Sequence, residues 1–447
     1  MKPEEYIEKF GRGFATVALA DTNGLLRGQL VSSSSLAGIL RDGMGMAPAT
    51  LALDPTDEFL TLPGVTDASA DFHDDFLKVD PDSARRVPWA EDGRDLLLLA
   101  TYSGEAAQLC PRSLLGKVLA TAANYGYAPR YGIELEYTLF DETAESARAK
   151  NYHDLRTATA HKSHDLVIYQ VHQSDWYGAV ADMCEALRID LSKMHEEIGG
   201  GFMEACTAPG EGLEPADQLV LLKNFLRILA MRRGKTVCFM PRWNEDADSQ
   251  SSHVHMSLLD SVGNPVFHDA GDIHGTSRAF IHFLGGLRRY LGELSLLFLP
   301  TVNSYRRFAP GTFAPSGLTW GYENRTACLR VVGHDDDTLR VENRLAGADA
   351  NPYLIVAAMV AAGTAGIIEE LDPGEPITGN GYEQNQEGPG FARSMPEAIE
   401  RMRGSTFARD WFGDAFVDGF AATRQSQLDT FAAKVPDVEL ERFFDLG

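Results

Sequence analysis

One short stretch constrains the fold of this chain more than any other: Gly132-Ile133-Glu134-Leu135-Glu136-Tyr137-Thr138-Leu139-Phe140. Its apolar, β-prone residues predict a strand. Because side chains alternate between the two faces of a strand, Glu134 and Glu136 must point the same way. Two neighbouring negative charges repel each other, so we expect a cationic group above that face, and a pair of divalent metal ions fits best. Taken alone, the strand fits a solvated outer face at least as well, and other stretches decide between the two interpretations.

Length, charge and cysteine usage narrow the class of protein. The chain has 447 residues, 44% of them hydrophobic, which is enough for a large core and two domains. Its formal net charge of −24 argues against nucleic acid as a partner, whereas a small phosphate-bearing molecule needs only a local cluster of arginines. Five scattered cysteines without CxxC spacing predict reduced thiols in the cytoplasm.

No stretch predicts a membrane segment. The N-terminus is charged and lacks the apolar core of a signal peptide. The longest uncharged apolar run, 353–368, is shorter than the ~20 residues of a membrane span. It follows Asn351-Pro352, a helix-start signal, so it predicts a buried core helix. We therefore predict a cytoplasmic protein without membrane association.

Turn signals and periodicity divide the chain into residues 1–107 and 108–447. The first part predicts a hairpin at 14–32 with its turn at 21–24, short strands at 51–62 and 96–102, and a loop at 71–92. The second part contains a polar surface excursion at 141–173. Apolar residues at helical spacing predict helices at 113–125, 175–187, 213–233, 276–299, 396–403 and 414–433.

Three further stretches place acids and imidazoles at the spacing of one strand face. They are His195-Glu196-Glu197-Ile198-Gly199-Gly200-Gly201-Phe202-Met203-Glu204, Ser252-His253-Val254-His255-Met256-Ser257-Leu258 and Arg340-Val341-Glu342-Asn343-Arg344. An isolated His-x-His pair usually packs or hydrogen-bonds, and Arg-x-Glu-x-Arg is usually a solvated ladder of salt bridges. Recurrence of the pattern in one chain favours instead a curved sheet that encloses a polar funnel. Sites this rich in glutamate suit Mg²⁺ or Mn²⁺ better than Zn²⁺.

A cationic counterpart follows later in the chain. Arg307, Arg325, Arg330, Arg340 and Arg344 fall close together in the sequence. Arginines bind carboxylate or phosphate through two parallel hydrogen bonds. The chain has no Gly-x-x-x-x-Gly-Lys-Ser/Thr loop, so any nucleotide is not held by a P-loop.

These stretches resemble the glutamine synthetase family. The motifs that carry the resemblance are Gly-Ile-Glu-Leu-Glu-Tyr, His-Glu-Glu-Ile-Gly-Gly-Gly-Phe-Met-Glu, His-Val-His-Met-Ser-Leu, Asn-Ser-Tyr-Arg-Arg, Asn-Arg-Thr-Ala-Cys-Leu-Arg, and Arg-Val-Glu-Asn-Arg followed by Ala-Asn-Pro-Tyr-Leu. They span residues 132–354 in the family's order, and the N-terminal hairpin and helical tail also fit. The resemblance implies an α+β fold: a small β-grasp-like N-terminal domain and an α/β catalytic domain whose curved antiparallel sheet forms a funnel. It also implies stacked hexameric rings in which each active site takes residues from a neighbour's N-terminal domain.

The resemblance implies a role for each matched residue. Glu136, Glu197 and Glu204 would hold one Mg²⁺ or Mn²⁺, and Glu134, His253 and Glu342 would hold a second. The ATP side would be formed by His255, Ser257, Arg330 and Arg340. Glutamate and the transferred phosphate would be clamped by Arg307, Arg325 and Arg344, with Asp57 as an acid on the side of the nitrogen donor. The implied activity is that of an ATP-dependent carboxylate–amine ligase, in which ATP phosphorylates a carboxylate and an amine attacks the acyl phosphate.

The chain departs from the family pattern at four places. Phe313 stands where the family has a glutamate that helps bind ammonium and take its proton. The family's Phe-Asp-Gly-Ser-Ser is missing near Gly43-Met44-Gly45-Met46-Ala47-Pro48. The Gly-Gln expected before Glu204 is Gly201-Phe202, and the Asn-Gly that shapes the glutamate amino site is replaced within 246–252.

The nitrogen-donor pocket has therefore lost acids and gained an aromatic ring. We predict γ-glutamylation of a primary amine with an alkyl or aryl body, which would pack on Phe313 at about 25 cal/mol per Å² of buried apolar area. The fourth departure leaves the identity of the acid substrate open. Alternatives are an ammonia-using glutamine synthetase, a γ-glutamylpolyamine synthetase, and a catalytically silent regulatory or binding homologue. Retention of all six matched metal-ligand positions disfavours the silent homologue.

Overall fold

The N-terminal part of the chain is a five-stranded sheet in the computed structural model, which describes residues 2–309, 311–383 and 390–446. Its strands are β1 Phe14–Ala20, β2 Leu26–Ser32, β3 Met44–Met46, β4 Asp75–Arg86 and β5 Leu96–Tyr102, in the order β2-β1-β5-β4-β3. The predicted hairpin is confirmed by the antiparallel pairing of β1 with β2, and the strand predicted at 96–102 is confirmed as β5. Helix α2 (Ser33–Asp42) packs against β4, and α1 (Pro3–Lys9) packs against α2.

The loop predicted at 71–92 is wrong, because β4 occupies most of it. Leu77 and Val79 are buried in the N-terminal core while the lysine between them is exposed, which is the alternation of a half-buried strand. Aspartates and a proline conceal this alternation in the sequence. The pairing also shifts register between Asp80 and Arg85, which marks a bulge.

The strand predicted at 51–62 is also wrong. Its first residues end a 3₁₀ helix, Pro48–Ala52, and the remainder is irregular except for one isolated bridge between Leu53 and Phe59. Proline fixes φ at a value that suits the first helical position, so Pro48 favours a helical turn where apolar residues alone suggested a strand.

A larger, strongly curved sheet forms the rest of the chain's scaffold. Its strands are β6 Tyr127–Phe140, β7 Leu191–Glu196, β8 Phe202–Thr207, β9 Gly210–Glu211, β10 Thr236–Cys238, β11 Val254–Asp260, β12 Trp320–Tyr322, β13 Leu329–Val332 and β14 Arg340–Asn343, with the main order β12-β13-β14-β11-β6-β8-β7. The strand predicted around Glu134 is β6; it pairs with β11 up to Ile133 and with β8 from Glu134 onward. β6 therefore lies between β11 and β8, in the interior of the curved sheet. The predicted α+β fold with a curved sheet is confirmed.

Helices cover the convex side of this sheet. They are α3 Pro111–Asn124, α4 Ala144–Ala149, α5 Val167–His172, α6 Ser174–Ala186, α7 Glu214–Arg232, α8 Arg278–Tyr290, α9 Ser295–Phe298, α10 Pro352–Ile368, α11 Met395–Gly404, α12 Thr406–Phe412, α13 Asp414–Ala432 and α14 Asp437–Phe443. The helices predicted at 113–125, 175–187, 213–233, 396–403 and 414–433 are confirmed as α3, α6, α7, α11 and α13. The predicted buried helix is confirmed as α10, which is buried from Pro352 to Gly366.

The helix predicted at 276–299 is broken into α8 and α9. The break contains Gly292, and a Cβ there would lie 2.7 Å from the carbonyl oxygen of Gly390. Glycine is a poor helix former, and here it admits a neighbouring backbone, so the chain leaves the helix at this point. The excursion at 141–173 is irregular apart from the short helices α4 and α5.

Buried polar contacts join three helices to one another and to the N-terminal part of the chain. Arg112, at the start of α3, donates to Asp217 of α7 at 2.8 Å, and Tyr353 of α10 donates to the same carboxylate at 2.6 Å. Asn351 caps α10 and donates to the carbonyl of Asp21 at 3.1 Å. The division into domains at residue 107 stays a prediction. Across the described residues, every helix is too short or too polar to cross a membrane.

Candidate active site

The pairing of β6 with its neighbours brings the predicted metal ligands together. Glu136 lies directly opposite Glu204 of β8. His255 of β11 lies opposite Glu342 of β14. Because directly paired side chains on one face have Cβ atoms about 5 Å apart, acids from separate stretches of the sequence meet on the concave face of the curved sheet.

These side chains line a cavity of about 640 Å³, which we name the acidic cup. It is lined by five of the predicted metal ligands: Glu134, Glu136, Glu197, Glu204 and His253. The sixth, Glu342, lies behind His253, with its Oε1 3.4 Å from the Nδ1 atom of that ring. All six predicted metal ligands therefore lie in or beside one cavity.

Within this cavity, potential ligand atoms form three groups whose members lie within 4.8 Å of one another: Glu134, His253 and Glu342; Glu134, Glu204 and Cys206; and His195, Glu197 and Glu204. The first group is one of the two predicted sets. The third contains two members of the other set, with His195 where the prediction has Glu136. The Nε2 atom of His253 is buried without a hydrogen-bond partner among the described residues. The other ring nitrogen, Nδ1, lies 3.1 Å from Glu134 Oε2 and 3.4 Å from Glu342 Oε1, and a ring nitrogen beside carboxylate oxygens fits a divalent metal ion.

Burial and neighbouring carboxylates raise the pKa of an acid in the cup. Burial, together with the carboxylates of Glu204 and Glu197, raises the pKa of Glu136 to about 7. The backbone N–H of Ser251 donates to Glu136 Oε2 at 2.5 Å and holds the side chain in place. Because metal ligands must be deprotonated, a divalent ion bound here would displace a proton that the cluster otherwise shares.

Two other acids at the cup, Glu342 and Glu134, stay ionised because neighbouring side chains lower their pKa values. Burial would raise the pKa of Glu342, but Arg344, His253 and His255 together lower it to about 2. Burial would likewise raise the pKa of Glu134, but hydrogen bonds from His253 and His255 hold it well below its usual value. An acid with a raised pKa and acids with lowered pKa values therefore lie close together at this cavity.

The predicted clamp arginines differ in how they are held. Arg307 is buried, and its two Nη atoms donate to the backbone carbonyls of Leu345 and Arg344 at 3.0 Å. Its Nε atom is buried without a partner among the described residues. Arg344 is paired with Glu342, whereas Arg325 is exposed; all three arginines line the acidic cup.

A second cavity of about 650 Å³ adjoins the cup, and we name it the nucleotide-side cavity. His255, Ser257 and Arg340, three of the four residues predicted to face ATP, line it. The fourth, Arg330, lies between Glu342 and Glu323 at 3.0 and 2.8 Å. Glu134 and Lys193 line both cavities, so the two spaces meet at that pair.

The side of the cup predicted to take the nitrogen donor is partly apolar. Phe313 lines the cup; its φ is 54°, and its ring is 58% exposed. A non-glycine residue with positive φ is strained, and the surrounding structure must hold it there. Met194, Ile198 and Phe202 also line the cup.

Several residues of the cup were missed from the sequence. Lys193 lies 3.4 Å from Glu204 and 3.9 Å from Glu134, and the Sγ of Cys206 lies 3.0 Å from Glu204 Oε1. Strand alternation would have found Cys206, which is two residues after Glu204. It would also have found Lys193, which is two residues before His195 in the regular part of the same strand.

Asp57 does not join the other predicted site residues within one chain. It lies in a loop of the N-terminal part with φ of 66°, and its exposed carboxylate pairs with Arg27. Among the described residues, those lining the acidic cup begin at Glu134 in the sequence. A role for Asp57 in this site therefore requires a second copy of the chain.

Comparison with known proteins agrees with this geometry. Residues 108–443 match the family described as glutamine synthetase, catalytic domain. The chain is similar to the gamma-glutamylethanolamide synthetase GlnA4 of Streptomyces coelicolor, with 35% identity over 96% of this chain and 92% of that protein. It is also similar to the glutamate–isopropylamine ligase of a Pseudomonas species, with 30% identity over 100% of this chain and 98% of that protein.

Among solved structures, ligand-free GmaS superposes with a TM-score of 0.85 at 24% identity and covers 98% of both chains, which supports the same fold. Family enzymes use ATP and divalent metal ions, in agreement with the two adjoining cavities. The chain therefore belongs to the glutamine synthetase family, in its γ-glutamyl amide synthetase branch, and is an ATP-dependent carboxylate–amine ligase.

Proposed function

We propose that this ligase joins the γ-carboxylate of glutamate to a primary amine with an alkyl or aryl body, through a γ-glutamyl phosphate. The observation that carries the proposal is the apolar wall of the acidic cup, where Phe313, Ile198 and Phe202 face the cavity that holds the clamp arginines. A cavity for ammonium would need acids at that wall, since a compact cation is stabilised by carboxylates. Two similar proteins, a gamma-glutamylethanolamide synthetase and a glutamate–isopropylamine ligase, support a substituted amine.

The chain's arginines would position the acid substrate. Arg307 is rigidly held by two backbone carbonyls, and Arg325 is exposed; both line the cup. Such groups fit the carboxylates of glutamate and the charge of a phosphoryl group. Arg344, already paired with Glu342, would place its charge between the substrate and the metal ligands.

Two divalent ions, which we propose to be Mg²⁺, would be held by Glu134, His253 and Glu342 and by Glu136, Glu197 and Glu204. When bound, they would neutralise charge on the ATP phosphates. His255, Ser257, Arg330 and Arg340 would hold the nucleotide on its side of Glu134.

The bond changes follow from this arrangement. A γ-carboxylate oxygen attacks the terminal phosphorus of ATP and ADP leaves, which gives the acyl phosphate. The amine nitrogen then attacks the acyl carbon, inorganic phosphate leaves, and the nitrogen loses one proton. Phe313 would cover the intermediate and pack on the body of the amine, which excludes water that would otherwise hydrolyse the acyl phosphate.

A second candidate is an amine that carries another polar or charged group. Asp165 and Asp248 both line the acidic cup. Asp248 pairs with Lys162 at 3.4 Å, and Asp165 lies 3.6 Å from His164. These acids would recognise a hydroxyl or a second ammonium group on the amine, and they keep a polyamine substrate among the alternatives.

An amine panel tests the proposal. We expect phosphate release with ATP, Mg²⁺ and glutamate to be fastest with isopropylamine, benzylamine or aniline, slower with ethanolamine and putrescine, and slowest with ammonia. Mass detection of the γ-glutamyl amide confirms that the released phosphate reports ligation. Ammonia as the best nucleophile would contradict the proposal. Preference for ethanolamine or putrescine that is lost in Asp165→Asn would favour the second candidate.

We also infer that the active enzyme is a ring assembly, a pair of stacked hexamers, in which Asp57 enters the cup of a neighbour. The inference rests on the exposed position of Asp57, away from the cup of its own chain. Subunits of the inactive variants Asp57→Asn and Glu342→Gln can be mixed in equal amounts and reassembled. If each site is shared between two subunits, up to about a quarter of the sites should regain activity, and if it is not shared, none should. Five free cysteines support a reducing cytoplasmic location.

A further inference from the structure

A third cavity, of about 830 Å³, shares no lining residue with the acidic cup. We name it the junction cavity, because the turn of the β1–β2 hairpin at Thr22 and Asn23 meets α7, β10 and α13 there. Its size lies within the range of pockets that enclose small organic ligands.

The junction cavity buries an excess of positive charge. Lys223 and Arg227 of α7 and Arg424 of α13 line it, and Lys223 and Arg424 are 3% and 0% exposed. The opposing buried acid is Asp349, whose Oδ2 accepts from Thr301 and Ser304 at 2.7 Å. Buried Asp21, outside the lining, also attracts Arg227 and Arg424, so these cations face more than one carboxylate but remain in excess within the lining.

The other charged side chains of the lining do not balance this excess. Glu142 also lines the cavity, but Lys150 and the backbone N–H of Arg156 already bind its Oε1. Arg148 is exposed at the lining and adds another positive charge. Burial lowers the pKa of Arg227 and of Arg424 to about 10, which reflects the cost of holding these charges away from water.

Hydrogen bonds within the chain satisfy Lys223 and Arg227 only in part, whereas Arg424 makes four hydrogen bonds, to Thr22, Asn23, Pro300 and Thr423. Lys223 donates to the carbonyl of Ala350 at 2.7 Å. Arg227 donates to the carbonyl of Lys223 on its own helix at 3.2 Å, and its guanidinium lies 4.6 Å from the ring centre of Phe239. A buried cation is stabilised fully only by an anionic partner with several acceptor atoms.

The remaining wall is apolar and aromatic. Phe140, Val237, Phe239, Met240 and Trp243 line the cavity beside the cations. A ligand that satisfies both parts would combine a negatively charged head with a flat or branched apolar body.

We propose that the junction cavity binds a small organic anion, whose carboxylate or phosphate contacts Lys223, Arg227 and Arg424 and whose aromatic or branched body packs on Phe239 and Trp243. This site is separate from the ligase reaction. Its occupancy is independent of the identity of the amine.

Calorimetric titration of the full-length protein tests the proposal with four probes of similar size. They are 3-phenylpropanoate, phenyl phosphate, neutral 3-phenylpropan-1-ol and cationic 3-phenylpropylamine. We expect one or both anions to bind at least about tenfold more tightly than the alcohol, because the head group is then a charged acceptor. The ratio of the two anions distinguishes a carboxylate site from a phosphate site.

Substitutions in the lining test whether the anion binds in the junction cavity. Arg227→Gln should weaken the anion at least about tenfold, whereas Arg227→Lys keeps the charge and should stay within about threefold. Arg233→Gln removes an exposed charge from the end of the same helix and should leave affinity unchanged. Met240→Trp, at a half-exposed residue of the lining, should block the cavity sterically and serves if Arg227→Gln does not fold.

The proposal is overturned if neither anion binds at millimolar concentration. It is equally overturned if anion affinity is the same in wild type, Arg227→Gln and Met240→Trp, since the anion would then occupy the clamp arginines of the acidic cup.

Discussion

The acidic cup and the junction cavity bury unbalanced charge of opposite sign. The cup gathers glutamates on paired strands of one curved sheet, with Glu136 opposite Glu204. The junction cavity gathers Lys223 and Arg424 from two helices that lie about half the chain apart in sequence, around Asp349. In each case the protein tolerates a charge excess that hydrogen bonds within the chain satisfy only in part, so each cavity is built for a ligand of the opposite charge.

The difference between them lies in how the charge is held. In the cup, the chain itself compensates part of the negative charge, since Arg344 and two histidines keep Glu342 ionised. In the junction cavity, burial lowers the pKa of Arg227 and of Arg424, and burial together with Arg227 lowers that of Lys223. Divalent ions would bind the cup because its oxygen atoms are already deprotonated on one wall, whereas the junction cavity suits an anion that brings an apolar body with it.

The largest expected effect is the loss of activity when one acid of the cup is neutralised. Glu342→Gln should lower kcat by about a thousandfold. The substitution removes a carboxylate that pairs with Arg344 and that we propose as a metal ligand. Phosphate release under saturating ATP and Mg²⁺ measures it. Glu323→Gln, which removes a 60%-exposed partner of Arg330, is the matched control and should stay within about threefold. Equal losses in the two variants would show that the cup is not the centre of the chemistry.

A smaller effect is expected at the apolar wall of the cup. Phe313→Glu should move the preference from an alkylamine toward ammonia by about ten- to a hundredfold in kcat/KM, because a carboxylate replaces the ring at that wall. The ratio of the two rates, measured side by side, is the readout. Phe313→Leu keeps an apolar side chain and should leave the ratio nearly unchanged. A ratio that does not move in Phe313→Glu removes Phe313 from the specificity of the enzyme.

Metal binding should stabilise the cup and leave the junction cavity unaffected. With ~100-fold excess of Mg²⁺ over its dissociation constant, linkage adds about 2.7 kcal/mol to the free energy of unfolding, provided that the metal binds only the folded chain. Unfolding curves with Mg²⁺ and with EDTA measure the difference. We expect the same gain in Lys223→Met as in wild type and a much smaller gain in Glu134→Gln. A full gain in Glu134→Gln would place the metal elsewhere.

The smallest expected effect is a pH dependence that originates in the junction cavity. Burial, together with Arg227, lowers the pKa of Lys223 to about 7, whereas its pKa in the unfolded chain is about 10.4. Between these values the unfolded chain binds the additional proton, so the free energy of unfolding rises with pH from about 7 to about 10 and falls as pH decreases. The slope contributed by one group is at most about 1.4 kcal/mol per pH unit.

Lys223→Met should flatten this slope, and denaturant unfolding at pH 7, 8 and 9 measures it. The matched control is Lys117→Met on α3, at a residue whose side chain is more exposed. A slope that is the same in wild type and Lys223→Met would contradict the lowered pKa.

Much of the cup was predictable because its pattern is local. Glu134 and Glu136 are two residues apart on one strand, and the period of two by itself places them on one face. The same period connects His253 with His255 and Arg340 with Glu342 and Arg344. Where a strand was irregular, the pattern failed: the bulge in β4 concealed a whole strand.

The sequence by itself determined the alternating acids, the buried helix α10 and the family of the chain, because each depends on residue types at short, regular spacing. The tertiary structure alone decided that β6 lies between β11 and β8, and so which acids oppose each other. It also decided that Lys223, Asp349 and Arg424 share one cavity. Distances between residues far apart in sequence depend on how the whole sheet curls and how its helices pack, and no local period encodes them.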